Sequence, residues 1–129
     1  MFDHLEFSVA DIAAARRFYK PICHAVGIQE VFYDEGEKSA GFGKGGIVRF
    51  LLTEGTATAP RLHICFVAQS KDSVERAYTG AIAGGGVDNG KPGYRDHYAP
   101  GYFAAFVHDP DGHNVEILYR EERKAQTKS

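Results

Sequence analysis

The chain has 129 residues, a formal charge of −2 and two cysteines, Cys23 and Cys65. That length suits one compact domain able to bury roughly two-thirds of its unfolded surface, and the near-neutral charge offers no basic face for a nucleic-acid backbone. No apolar run approaches the roughly 18 residues of a membrane helix, no basic-then-apolar leader opens the chain and no C-x-x-C pair is present, so the reading is a cytoplasmic protein away from the membrane.

The first element is a strand in which Leu5, Phe7 and Val9 alternate with His4, Glu6 and Ser8. Side chains at alternate positions share a face, so the apolar set turns to a helix and His4 and Glu6 turn away from it. Asp11 then caps a helix whose buried stripe is Ile12, Ala15, Tyr19, Ile22 and Val26, ending at Gly27. Pro21 cannot donate to the helix ladder and predicts a kink near the middle. Three strands follow, 29–33, 39–42 and 47–53, separated by turns over 34–38 and 43–46. Residues 55–60 form a hinge.

The second half repeats that order. A strand over 62–66 turns His63 and Cys65 to one face and Leu62, Ile64 and Phe66 to the other. Ser70 caps a helix with the stripe Val74, Ala77, Tyr78 and Ala81, stopped by Gly84-Gly85-Gly86. A short strand near Val87 precedes a long loop over 90–101, which its length marks as a lid. Strands over 102–108 and 114–119 flank Asp109-Pro110-Asp111-Gly112, a strong turn. Residues 120–129 read as a charged tail.

Sliding the sequence by 59 places His4 on His63, Phe7 on Phe66, Arg17 on Arg76, Tyr19 on Tyr78 and Gly27 on Gly86. The repeat predicts an α+β domain over residues 1–119, built from paired βαβββ modules at about 1–54 and 61–119. Their strands form a curved, partly closed mixed sheet around a central cleft, with the helices outside. In the last strand Glu116 is acidic on a face that would otherwise be buried. His4, His63 and Glu116 therefore reach the same concavity from three strands. Two imidazoles and a carboxylate suit one divalent ion (zinc, iron, nickel, cobalt or manganese) and leave coordination positions open to a substrate.

The runs Asp3-His4-Leu5-Glu6-Phe7-Ser8-Val9-Ala10-Asp11 and Phe106-Val107-His108-Asp109-Pro110-Asp111-Gly112-His113-Asn114-Val115-Glu116 resemble the opening and closing strands of the vicinal oxygen chelate superfamily. That superfamily includes glyoxalase I, extradiol dioxygenases, bleomycin- and fosfomycin-resistance proteins and epimerases. The resemblance implies a metal cleft with ligands at His4, His63 and Glu116, a small-molecule substrate with adjacent oxygens, and a homodimer. It favours a lyase-like reaction over extradiol oxygenation. The bleomycin-resistance branch implies an alternative, a protein that traps a small molecule without a catalytic metal.

A local match of Val48-Arg49-Phe50-Leu51 to Val115-Glu116-Ile117-Leu118 puts Arg49 at the fourth ligand position, and arginine cannot ligate a cation. Arg49 is either a solvent-edge residue or a substrate-anion contact. His97, Tyr98 and Tyr102 are substrate-binding candidates from the loop, and Glu6 and Cys65 could support the ligand histidines. His108 and His113 flank a turn and read as surface residues, while His24 sits where a helix dipole favours a cation.

Overall fold

A computed structural model describes residues 1–122 and has the element order β1 (Leu5–Val9), α1 (Ile12–Ala25), β2 (Gln29–Asp34), β3 (Ser39–Lys44), β4 (Ile47–Glu54), β5 (His63–Val67), α2 (Lys71–Ala83), β6 (Val87–Tyr94), β7 (Tyr102–His108) and β8 (Asn114–Arg120). The strands form two mixed four-stranded sheets, ordered β1-β4-β3-β2 and β5-β8-β7-β6. In each sheet the first strand of a module pairs in parallel with its last, and the other neighbours are antiparallel. This is the predicted βαβββ repeat, realised as two sheets that do not close on one another. Each sheet has two edge strands, β1 and β2 in the first and β5 and β6 in the second, and residues beside β1 and on β5 line the cleft.

Local chemistry accounts for the helix ends. The Asp11 carboxylate accepts a hydrogen bond from the Ala14 backbone N–H at 3.1 Å, and the Ser70 hydroxyl accepts one from the Ser73 N–H at 3.0 Å. Each cap satisfies a first-turn donor and contributes about 1 kcal/mol. The Glu54 carboxylate adds a second acceptor at the start of α1, taking the Ile12 N–H at 3.0 Å.

Pro21 does not split the helix, and α1 runs unbroken from Ile12 to Ala25. The reason lies in the packing of α1 on α2. Proline frees the carbonyl four residues earlier, which belongs to Arg17. A Cβ placed on Gly84 would stand 2.1 Å from that oxygen, and one on Gly80 would stand 2.5 Å from Pro21 Cβ. Two glycines one turn apart on α2 thus let the backbones meet, and the oxygen that Pro21 releases faces the Gly84 Cα.

The core is continuous across both modules. Phe18, Tyr19, Ile22 and Cys23 of α1 are fully buried with Val74, Ala77 and Ala81 of α2, beneath Phe42 and Leu52 on one side and Val107, Val115 and Ile117 on the other. Phe50 stands edge-on to Phe7 at 5.6 Å and to Phe66 at 5.4 Å, which links the two sheets through aromatic edges. Leu5 departs from its strand's expected pattern. It is 41% exposed because it sits at the free edge beside the cleft.

The turn 109–112 supplies a second link between modules. Asp109 is buried, and its Oδ1 accepts the backbone N–H groups of Asp111 and His113 at 2.9 and 2.8 Å. Its Oδ2 accepts the hydroxyl of Tyr19, from the other module, at 2.5 Å. Burial and the Asp109 charge together raise the Tyr19 phenol well above its usual range, so it stays a donor. Next in the chain, His113 is 1% exposed, contrary to its reading as a surface residue. Its Nδ1 accepts the Leu62 N–H at 2.9 Å, and its ring stands edge-on to Phe7 at 5.5 Å. The tight turn folds this histidine back into the seam.

The first part of the expected lid is strand. β6 extends to Tyr94 and includes Pro92, which an outer strand tolerates because its N–H side needs no partner. The remaining residues, 95–101, close as a tight turn in which the Arg95 N–H donates to the Tyr102 carbonyl at 2.6 Å and the Tyr98 N–H to the Arg95 carbonyl at 2.8 Å. Of the tail, Arg120 completes β8 and lies 5.1 Å from the centre of the Tyr102 ring, while residues 123–129 lie outside the described part.

Candidate functional site

Strand register decides which side chains share the concave face of the second sheet. Cys65 pairs with Glu116, and Glu116 pairs with Phe106, so these three positions form a row across β5, β8 and β7. His63, Asn114 and His108 form the next row on the same face. Glu116 shares the sheet face of Cys65, which lines the cleft, yet is only 3% exposed.

Its two carboxylate oxygens have separate partners. His63 Nε2 lies 2.8 Å from Glu116 Oε1, and the Tyr102 hydroxyl donates to Oε2. A carboxylate only accepts, so the imidazole presents Nε2–H to it. Burial, followed by the Glu116 hydrogen bond and charge, raises the Tyr102 phenol above its usual value and keeps it protonated. Tyr98 stands edge-on to Tyr102 at 5.2 Å and His97 packs on Tyr98 at 4.3 Å, so all three loop candidates join one aromatic chain that ends on Glu116. Cys65, beside Glu116, is pushed up to about 12 by burial and by that carboxylate, which keeps it a thiol rather than a nucleophile.

The first module contributes a different cluster. His4 Nδ1 lies 2.8 Å from Asp3 Oδ1, and Arg49 Nη1 donates to Asp3 Oδ2 at 2.9 Å and to the Asp3 carbonyl at 3.2 Å. The His4 hydrogen bond, reinforced by Arg49, holds the Asp3 carboxyl below its ordinary range. A cleft of about 870 Å³ joins the two clusters, with Asp3, His4 and Arg49 on one wall and His63 and Cys65 on the other. Glu6 is exposed on β1, and no hydrogen bond or ion pair ties it to either cluster.

The structure therefore brings His63, Glu116 and Tyr102 together and places His4 with Asp3 and Arg49. Among the described residues no group of three His, Cys, Asp or Glu side chains stands close enough to hold a metal ion. The His63–Glu116 pair does suit a divalent cation. It is a carboxylate shut from water that has an imidazole beside it and no lysine or arginine paired to it among the described residues.

Register also changes the fourth position. Leu5 pairs with Phe50, and Ile64, at the same repeat position, pairs with Val115. Arg49 thus stands where Asn114 stands, and Leu51 rather than Arg49 matches Glu116. Neither residue can ligate a cation. The sequence also missed Phe106, whose ring centre lies 6.3 Å from that of His63, although its β7 parity would have placed it there.

The family model for the Glyoxalase/Bleomycin resistance protein/Dioxygenase superfamily matches residues 1–117. The chain belongs to that superfamily. Among solved structures, this superfamily member is similar to a glyoxalase/bleomycin resistance protein from Albidiferax ferrireducens, at 25% identity and a TM-score of 0.77, covering 93% of this chain and 99% of that one. It also shares its fold with a family enzyme from Burkholderia phytofirmans (19% identity, TM-score 0.66, 92% and 98% covered). A lactoylglutathione lyase from Agrobacterium tumefaciens shares the fold as well (19% identity, TM-score 0.62, 92% of each chain). No curated protein is a significant match. Among the described residues no helix is long and apolar enough to cross a membrane.

Proposed function

We propose that this superfamily member is a divalent-metal-dependent enzyme acting on a small molecule with adjacent oxygens, with lyase-like chemistry. His63 and Glu116 would hold the ion, with His4 as the third ligand. The observation that supports this reading is the Glu116 carboxylate, buried to 3% exposure and in direct contact with an imidazole on the wall of the cleft. An ion held there would polarise a substrate carbonyl or stabilise an enolate.

The chain's own groups do the rest. Tyr102 fixes the Glu116 carboxylate by donating to Oε2, so that Oε1 stays directed at His63. Ligation through His63 Nε2 requires the neutral tautomer whose proton sits on Nδ1. Phe106 beside His63 and the Tyr98–Tyr102 pair beside Glu116 put aromatic rings next to the polar groups. A cytoplasmic homodimer is part of the same proposal, because the open edges of β1 and β5 leave the cleft exposed in one chain.

The second reading, ligand capture without a catalytic metal, is favoured by one observation: His4 is engaged by Asp3 rather than standing with His63 and Glu116. Elemental analysis of protein purified without an affinity tag separates the two. The enzyme reading expects close to one divalent ion per chain, lost in His63→Ala and Glu116→Ala. The capture reading expects no stoichiometric ion in the wild type.

A further inference from the structure

A second cavity, of about 540 Å³, lies beyond His63, and its wall includes Arg61, Asn89, His108 and Asn114. His63 borders both this cavity and the main cleft. We infer that this cavity is an anion subsite, which seats a carboxylate or phosphate group of the ligand whose reactive end faces Glu116. The inference extends the proposed function, because it names the chemical class of the substrate.

Arg61, Asn114 and His108 can each offer a donor to this cavity. Arg61 is exposed and has no ion-pair or hydrogen-bond partner among the described residues, so its guanidinium fork is available for a planar oxyanion. The Asn89 amide donates to Asn114 Oδ1 at 3.1 Å, which orients Asn114 and leaves its own amide N–H groups free. His108 Nδ1 is shut from solvent and without a partner. A buried N–H with no acceptor is costly, so the proton belongs on Nε2, which becomes a third donor. Among the described residues no carboxylate lines the cavity. Glu116 is not part of its wall, and both Glu116 oxygens are already bound by His63 and Tyr102.

Register sets the reach. His63, Asn114 and His108 share one cross-strand row, and Glu116 lies two residues further along β8 on the same face. Two residues of strand span about 7 Å. The expected ligand is therefore a small acid whose charged group lies about 7 Å from the atoms that face Glu116.

The test is an NMR titration of the full chain with acetate, inorganic phosphate and, as a neutral control, acetamide. The signals followed are the Arg61 Nε–H and the Asn114 side-chain amide. Acetate, phosphate or both should shift these signals saturably, and whichever binds tighter identifies the anion class. Acetamide should not shift them. Arg61→Gln, a surface change, should weaken anion binding at least tenfold, and Asn114→Ala should weaken it independently. No saturable shift, equal shifts with acetamide, or unaltered affinity in Arg61→Gln would overturn the subsite. The metal reading fails separately, through an absence of bound ion in wild-type protein.

Discussion

Replacing Tyr19 by phenylalanine removes one hydroxyl and leaves Asp109 Oδ2 without its donor from the opposite module. The carboxylate stays 4% exposed, so water cannot replace the lost partner without opening the seam. A hydrogen bond to a buried charged group contributes about 1.5–3 kcal/mol, while the phenyl ring keeps its packing against Phe18 and Phe50. For a domain of this size each kcal/mol lowers Tm by about 3–4 °C, so the expected shift is roughly 5–10 °C. Urea denaturation followed by circular dichroism should show a lower midpoint with the slope unchanged. Asp109→Asn combined with Tyr19→Phe should give a coupling energy of about 1 kcal/mol or more. Superimposable wild-type and Tyr19→Phe curves would refute the idea that this bond clamps the two modules.

Gly84→Ala should destabilise by about 3 kcal/mol or more, because its Cβ meets the Arg17 carbonyl, a backbone atom that no rotamer change can move. Gly85→Ala should cost only about 1–2 kcal/mol in the same thermal melts, since it meets no neighbour and suffers only from its positive φ. The reverse order would contradict the close approach of α1 and α2. The Arg16 guanidinium holds the Glu30 carboxyl below its ordinary value of 4.5, so the native state binds fewer protons than the unfolded chain there. The resulting stability is present above that value and is lost as pH falls through the lower folded value, and Glu30→Gln should flatten the loss seen in melts between about pH 5 and pH 3. Zinc affinity measured by competition with a chromophoric chelator should fall at least about tenfold in Glu116→Gln, which removes the carboxylate ligand. Unchanged affinity would place the ion elsewhere.

Much of the fold was legible because its determinants are local. The caps at Asp11 and Ser70, the turn at 109–112 and the alternation in β1 each follow from neighbouring residues. Glu116 was legible for the same reason, as an acid in an apolar strand. Features that depend on the packing of distant elements were not legible. Pro21 is accommodated because Gly80 and Gly84 of another helix lie against it. His113 is buried because the turn returns it to Leu62 and Phe7. The equivalence of Leu51 with Glu116 comes from the register of each last strand against the first strand of its module, which a short sequence match cannot fix. The Asp3 contacts of His4 are likewise invisible to strand parity.

The central claim is that the His63–Glu116 pair is the nucleus of a metal site. Anomalous diffraction from crystals of the full chain equilibrated with cobalt(II) tests it most directly. The account predicts one strong peak between His63 Nε2 and a Glu116 carboxylate oxygen, at ligand distance from both and absent in Glu116→Gln. A peak elsewhere on the protein, or none while His63 keeps its 2.8 Å contact with Glu116, would contradict it.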